Sequence, residues 1–429
     1  MIPLRELELA RRVDHGIGNA EPSPIVYSLD HRMSSRLVLF LSSEKTPGDV
    51  RSSLDPARFD VAEIEGDETR LEVNGMSFQL ASVDVPQLHS WHFEQARWEP
   101  GERARAGSAR FALSVETELE EPPLKAFREQ LAVALAAGGD ALAAIYDESA
   151  ERLLAAGQAR TLALAPLAPR DLFSIHSVGP GASTPGTYWV HSHGLARARV
   201  PELDLLSVPE NGREAAGELL DAAAALLLSH GVPPRAAPFP VGEGLDLVLL
   251  PLDEALARTS PREAGGRESR DGHREEERVV LAPASARSGG SPSIAPLLPR
   301  VPRAIFFQSP EDTERMRLLA RERWSDLEGL FAVHARDPGW VFLVKLGYEP
   351  DRSKERPEGV AREHLWFRVR SVEKERVEAV LESTPSDISS LKPGDLRWHS
   401  LDRLTDWLVV SPDRQLRPGS FMRTRHVDP

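Results

Sequence analysis

The side chains best placed for chemistry fall in one short run, Thr187-Tyr188-Trp189-Val190-His191-Ser192-His193-Gly194-Leu195, followed by Pro201-Glu202-Leu203-Asp204-Leu205. The β-branched and aromatic content predicts extended chain, and on a strand alternate side chains leave the same face. His191 and His193 therefore share a face, and Glu202 and Asp204 repeat that spacing. His176, within Phe173-Ser174-Ile175-His176-Ser177-Val178, is expected on a neighbouring strand. Imidazoles and carboxylates so placed can hold a divalent ion or exchange protons as general acid and base. The metal-ligand candidates are His176, His191, His193 and Glu202, and the catalytic candidates are His191 and His193. Against this stands an architectural reading, the favoured one: two histidines at a strand end before a glycine more often bond to nearby carbonyls and hold a turn. Arg197 and Arg199 alternate likewise and are candidates for holding an anion, a solvated strand edge being the simpler account.

Composition bounds the remaining chemistry. The 429 residues include no cysteine, which excludes disulfides, thiol nucleophiles, iron-sulfur clusters and thiolate zinc sites. A metal would rest on histidine and carboxylate, and zinc is the ion that reading calls for; the favoured reading needs no cofactor. There is no Gly-x-Gly-x-x-Gly, Walker loop, His-Glu-x-x-His or Gly-x-Ser-x-Gly motif. The glycine-rich run from Val178 to Gly186 contains prolines, which suits a loop better than a phosphate cradle of free amides. With 52 basic and 66 acidic residues the net charge is -14, so neither nucleic acid nor an anionic membrane is an expected partner. The acid surplus lies wholly in residues 1–300, which suits a basic protein partner through complementary fields. Charge interrupts the apolar residues near Met1, and the longest greasy stretches, Leu131 to Ala137 and Ala222 to Leu228, are far too short to cross a bilayer. A cytoplasmic protein is expected.

The elements that must position these residues read as α+β in two domains. Strands are expected around Arg36–Ser43, Phe59–Glu65, Arg70–Val73, Met76–Val83, Ala109–Val115, Phe173–Val178, Tyr188–Ser192, Leu203–Val208 and Leu245–Leu250. Helices are expected at Leu124–Ala137, Asp147–Ala156 and Gly212–His230. This makes an N-terminal mixed sheet with helices over residues 24–257, after an extension at 1–23. Residues 258–300, rich in Gly, Ser, Pro and mixed charge apart from Val279-Val280-Leu281, read as a flexible linker. Residues 301–429 read as a small, strongly bent antiparallel sheet with one helix, opened by Ser309-Pro310-Glu311-Asp312 as cap, first-turn proline and dipole-facing acids. Five of the eight tryptophans lie in this last part.

In that part Glu363-His364-Leu365-Trp366-Phe367-Arg368-Val369, the turn Lys392-Pro393-Gly394-Asp395 and Asp406-Trp407-Leu408-Val409-Val410 stand in this order after Val344-Lys345-Leu346. Together they resemble the YegJ-like bacterial family, domain of unknown function 2314, over about residues 305–422. Ser383-Thr384-Pro385 stands where that family usually has Asn-x-Pro. The resemblance implies no activity. Glu363, His364 and Asp406 are binding candidates, each beside a tryptophan at a strand end, where bonding to backbone amides or an indole N–H is the commoner role. Lys345, between Val344 and Leu346, is expected on the solvated face.

The run around His191 is similar to a second set of bacterial proteins, domain of unknown function 4026, in which Trp-x-His-Thr-His-Gly-Leu precedes a Glu-Leu strand; Ser192 replaces the usual Thr. This resemblance extends over about Pro24 to Pro251. His-Gly segments of this kind also occur in families resembling toxin-immunity proteins. The favoured reading is therefore a non-enzymatic, macromolecule-binding factor of immunity-like or regulatory type. The alternative is a metal-dependent or acid–base enzyme using the His191/His193 pair.

Overall fold

The computed structural model describes residues 34–63, 69–96, 98–120, 122–164, 167–179, 186–242, 244–260, 278–303, 310–349, 351, 362–385, 388–412 and 415–418. The extension at 1–23, residues 261–277 of the expected linker and Ser309 lie outside them. The chain divides into two compact units, Met1–Ser309 and Pro310–Pro429. Among the described residues no helix is long and apolar enough to cross a membrane.

Unit 1 contains two sheets. The first comprises β1 (Ser34–Leu41), β2 (Val61–Glu63), β3 (Arg70–Val73), β4 (Met76–Val83), β5 (Phe111–Glu118), β6 (Leu142–Asp147) and β7 (Arg152–Ala155) in the order β2-β3-β4-β5-β1-β6-β7. Every pairing in it is antiparallel. Helices α1 (Pro47–Ser53), α2 (Ser90–Gln95), α3 (Glu102–Gly107) and α4 (Pro123–Gly138) accompany it. Period-2 patterning explains how it is covered. Leu37, Leu39, Leu41, Leu113 and Val115 face Phe127, Leu131 and Ala134 of α4, while Phe40, Ala144, Leu153 and Ala155 meet Trp98 and Ala106 on the other side. Asp147–Ala156, expected as helix, is instead the β6–β7 turn and β7, followed by α5 (Ala156–Leu164). Ala, Glu, Arg and Leu favour helix locally, but the apolar runs flanking Glu148–Glu151 pair with each other and with β1, and tertiary burial prevails over propensity.

The second sheet comprises β8 (Ser174–Val178), β9 (Tyr188–His193), β10 (Glu202–Val208), β11 (Phe239–Gly242), β12 (Leu245–Pro251) and β13 (Arg278–Pro283), ordered β11-β12-β13-β10-β9-β8. It is mixed, because β10 and β13 run parallel. Helix α6 (Arg213–His230) covers the face carrying Val190, Leu203, Leu205, Leu247, Leu249, Val279 and Leu281. The opposite face carries Trp189, Leu206, Val248, Val280 and Ala282 against α7 (Leu252–Ala257). The expected flexible linker is thus corrected from Arg278 onward. Strand β13 is buried at every position and lies between β10 and β12, because Val279-Val280-Leu281 supplies apolar side chains to both faces.

Unit 2 is a six-stranded antiparallel sheet of β14 (Val341–Tyr348), β15 (Glu363–Glu373), β16 (Arg376–Leu381), β17 (Leu396–Ser400), β18 (Leu404–Val410) and β19 (Gln415–Leu416), ordered β17-β16-β15-β14-β18-β19. The expected single helix is divided at Arg323 into α8 (Pro310–Glu322) and α9 (Trp324–His334). Ala320, Trp324 and Leu327 from the two helices pack with Phe342, Val344, Leu346, Phe367, Trp407 and Val409.

Candidate metal centre

Strand pairing sets the site. His176 on β8 lies directly opposite His191 on β9, and Ser174 opposite His193. Directly opposed residues share a face, so all three rings emerge together, on the side away from α6. Their centres are separated by 5.7 Å (His176–His191), 4.6 Å (His176–His193) and 4.8 Å (His191–His193). One nitrogen from each ring can be chosen so that all lie within 4.8 Å of one another.

A fourth group arrives from the other sheet. Glu151, at the tip of the β6–β7 hairpin, places Oε2 3.7 Å from His176 Nδ1 and Oε1 3.5 Å from His193 Nδ1. Burial pushes its carboxyl up and the neighbouring Glu202 adds to this, while Arg278 pulls it down. Its backbone sits in the left-handed region, φ 45°, which a non-glycine residue adopts at a cost of about 1–3 kcal/mol. The side chain stays 39% exposed while those of His176 and His193 are 11% and 9% exposed, so the centre meets its surroundings through the carboxylate.

Supporting contacts orient the rings. The Ser174 hydroxyl donates to the Ala150 carbonyl at 2.5 Å, so its oxygen is left to accept from His176 Nε2 at 3.1 Å. With Nε2 engaged in this way, Nδ1 is the ring nitrogen that faces Glu151. His191 stacks on Trp189 at 3.6 Å and 14°, and Trp91 of α2 stands edge-on to His176 at 5.1 Å. Behind Trp189, Arg278 lies 5.4 Å from the indole centre and donates to Asp204 from Nε at 3.0 Å and Nη2 at 2.6 Å.

The other expected site residues are used differently. Glu202 is withdrawn from any metal role: its oxygens accept from Ser192 Oγ (2.5 Å) and from the amides of Gly194 (2.7 Å) and Ala196 (3.1 Å). It thereby closes the turn after β9. That turn needs glycine at 194, where φ is +107° and a Cβ would stand 2.5 Å from the Leu172 carbonyl oxygen. Asp204 lies opposite His191 but is held by Arg278. Arg197 and Arg199 are not on a strand edge. Arg197 is in a short 3₁₀ turn, fully buried and paired with Asp147 at 2.8 and 3.0 Å, which removes it as an anion holder. Arg199 is exposed in a left-handed conformation that ends this turn. Glu151, Ser174, Trp91 and Arg278 are the site residues that sequence reading missed. Two apolar runs, Leu142–Tyr146 and Leu153–Ala155, around the six mostly polar residues 147–152 were the available hairpin signal for Glu151.

In unit 2, Glu363 and His364 point to opposite faces of β15, so they do not form one site. His364 Nδ1 lies 3.0 Å from Thr405 Oγ1, and Asp406 Oδ1 accepts from the Trp407 amide at 2.8 Å. Burial raises the Asp406 carboxyl from its ordinary 3.8 to about 6, and burial with Lys345 and Arg362 lowers His364 from 6.5 to about 4. The two act on stability in opposite directions. Asp406 contributes stability in full below pH 3.8 that is lost as pH rises through about 6, whereas His364 contributes stability above pH 6.5 that is lost as pH falls through about 4. Asp406→Asn leaves only the second effect. Its unfolding free energy is predicted to climb between pH 4 and 6.5 by up to about 3 kcal/mol more than that of the parent. Urea titrations at pH 4.5 and 6.5 check this; parallel changes in both proteins contradict it.

Two segments match known families. Residues 175–282 match the family described as protein of unknown function (DUF4026) C-terminal. Residues 337–422 match the family described as uncharacterized protein conserved in bacteria (DUF2314). The first match reaches into β13, beyond the Pro251 limit expected from the resemblance, and the second begins after α9. No curated protein and no solved structure matches the chain. Unit 1 thus holds a segment similar to the DUF4026 C-terminal family, with all three clustered histidines inside it, and unit 2 a segment similar to the DUF2314 family.

Proposed function

We propose that unit 1 binds one divalent transition-metal ion of the zinc class through His176, His191 and His193, with Glu151 as fourth ligand or as the base beside a bound water. The observation that carries this reading is the convergence of three poorly exposed imidazoles on one strand face, with a carboxylate from another sheet between two of them. Clustered imidazoles repel one another when protonated, so the cluster suits neutral rings sharing a cation. Zinc–nitrogen bonds of about 2.0–2.1 Å in a tetrahedron require nitrogens about 3.4 Å apart, so modest ring rotations would complete the set. Three histidines with one exchangeable position are the ligand pattern of zinc centres that lower the pKa of bound water, and a carboxylate of raised affinity for protons suits the base role. The chemistry available is metal-assisted hydrolysis, and the order of the two sequence-based readings is reversed.

Calorimetric titration of zinc into chelator-stripped protein is expected to show one equivalent bound, with affinity falling as acid protonates the ligands. Absence of saturable binding at neutral pH would defeat the proposal. Glu151 supplies a further expectation. Glu151→Asn keeps a residue that tolerates left-handed backbone and removes a partly desolvated carboxylate, so the metal-free variant should gain about 1 kcal/mol in stability while binding zinc more weakly. Thermal melts with and without chelator check it, and a metal-free variant less stable than the parent contradicts it.

A further inference from the structure

On the face of the unit 2 sheet opposite its core, three neighbouring strands bring Trp366, Lys345 and Asp406 into one row. Lys345 on β14 lies opposite Trp366 on β15 and opposite Asp406 on β18. In the next row of the same face Leu343 lies between Leu408 and Arg368, so the amine has apolar neighbours with one guanidinium beyond them. Its Nζ is 5.6 Å from the centre of the Trp366 ring. Asp406 is buried, anchored by the Trp407 amide, and reached electrostatically by Lys345 and by Arg417. His364 stands two residues before Trp366 on the same face of β15, where Lys345 helps keep it neutral.

We infer that Lys345 and Asp406 form a carbonyl-capturing site for small aromatic aldehydes, Lys345 supplying the amine, Asp406 the acid and Trp366 a stacking surface. A structural ion pair would favour both charged forms. Here burial lowers the Lys345 ammonium and raises the Asp406 carboxyl, toward the neutral amine and neutral acid that condensation uses. Nζ attacks the carbonyl carbon and gives a carbinolamine. The Asp406 carboxyl donates its proton to the hydroxyl, which leaves as water while the C=N bond forms, and the iminium N–H proton returns to the carboxylate. Amine and aldehyde become imine and water, with no oxidant or reductant.

The test treats the full chain at pH 7 with sub-stoichiometric salicylaldehyde, reduces the imine with borohydride and maps the adduct by peptide mass spectrometry. Lys345 is expected to carry the largest share of adduct, above each of Lys45, Lys125, Lys354, Lys374 and Lys392, because burial that lowers its ammonium leaves more of it as free amine. K345R should remove the dominant adduct. Dehydration of the carbinolamine limits imine formation at neutral pH, so D406N, whose amide oxygen can still accept from the Trp407 amide, should slow labelling of Lys345. An adduct spread evenly over the six lysines overturns the inference. So does labelling of Lys345 that is unchanged in a D406N protein of parental circular dichroism.

Discussion

Replacing His191 or His193 with alanine is expected to lower zinc affinity at least about a hundredfold, since even partners one layer removed from a metal act on a 10–100-fold scale. The two variants should differ in their side effects. The His191 ring lies flat on Trp189, which is fully buried, so its loss opens a void in the apolar layer formed with Leu206 and Val280 and costs stability without metal. His193 faces Glu151 and is somewhat less buried than His191, so its loss should cost affinity with a smaller loss of metal-free stability. His334→Gln, in unit 2, is the control expected to leave zinc binding unaltered. A purely architectural histidine cluster predicts lost stability in both variants and no zinc effect to lose.

The second large effect concerns the joint that brings Glu151 to the histidines. Arg197, in the turn after β9, donates to both Asp147 oxygens and to the Leu172 carbonyl at 2.6 and 3.1 Å, reaches Ser35 Oγ at 3.0 Å and lies 4.4 Å above the Phe127 ring. Asp147 begins the turn that Glu151 ends, so this pair ties the histidine sheet to the carboxylate hairpin. Arg197→Ala leaves a buried carboxylate with Arg152, at 3.2 Å, as its one remaining ion-pair partner among the described residues, and is expected to cost about 3–5 kcal/mol. Removing both charges in Arg197→Met/Asp147→Asn should cost clearly less than the sum of the single changes, because neither member of the fully buried pair is left without the other, while Arg152 keeps its bond to the Asp171 carbonyl. Urea denaturation of the four proteins gives the coupling directly. A loss below about 1 kcal/mol for Arg197→Ala would mean that the pair does not hold the joint.

Local patterning made much of this legible. Alternation in Tyr188–His193 and Phe173–Val178 placed three imidazoles on adjacent strands, and the register then set two of them opposite each other. The same alternation placed Lys345 on the face away from Val344 and Leu346, but that face is not the solvated one expected, since Lys345 is half-buried there and burial lowers its ammonium. What stayed hidden depended on contacts distant in sequence. Glu151 lies 25 residues before His176 in another sheet, in a segment whose composition favours helix. Glu202 matched the histidine spacing, but its carboxylate is consumed by two amides and a hydroxyl that only the folded turn presents. Strand β13 was masked by its surroundings: three apolar residues amid charge and glycine read as linker, because nothing local announces a parallel partner 76 residues earlier, Glu202 for Arg278.

Anomalous diffraction at the zinc edge from crystals grown with stoichiometric zinc addresses the convergence of the three rings most directly. The predicted result is one strong peak per chain, about 2.0–2.2 Å from a nitrogen of each of His176, His191 and His193. No peak among these rings, or zinc held only elsewhere on the chain, would contradict it.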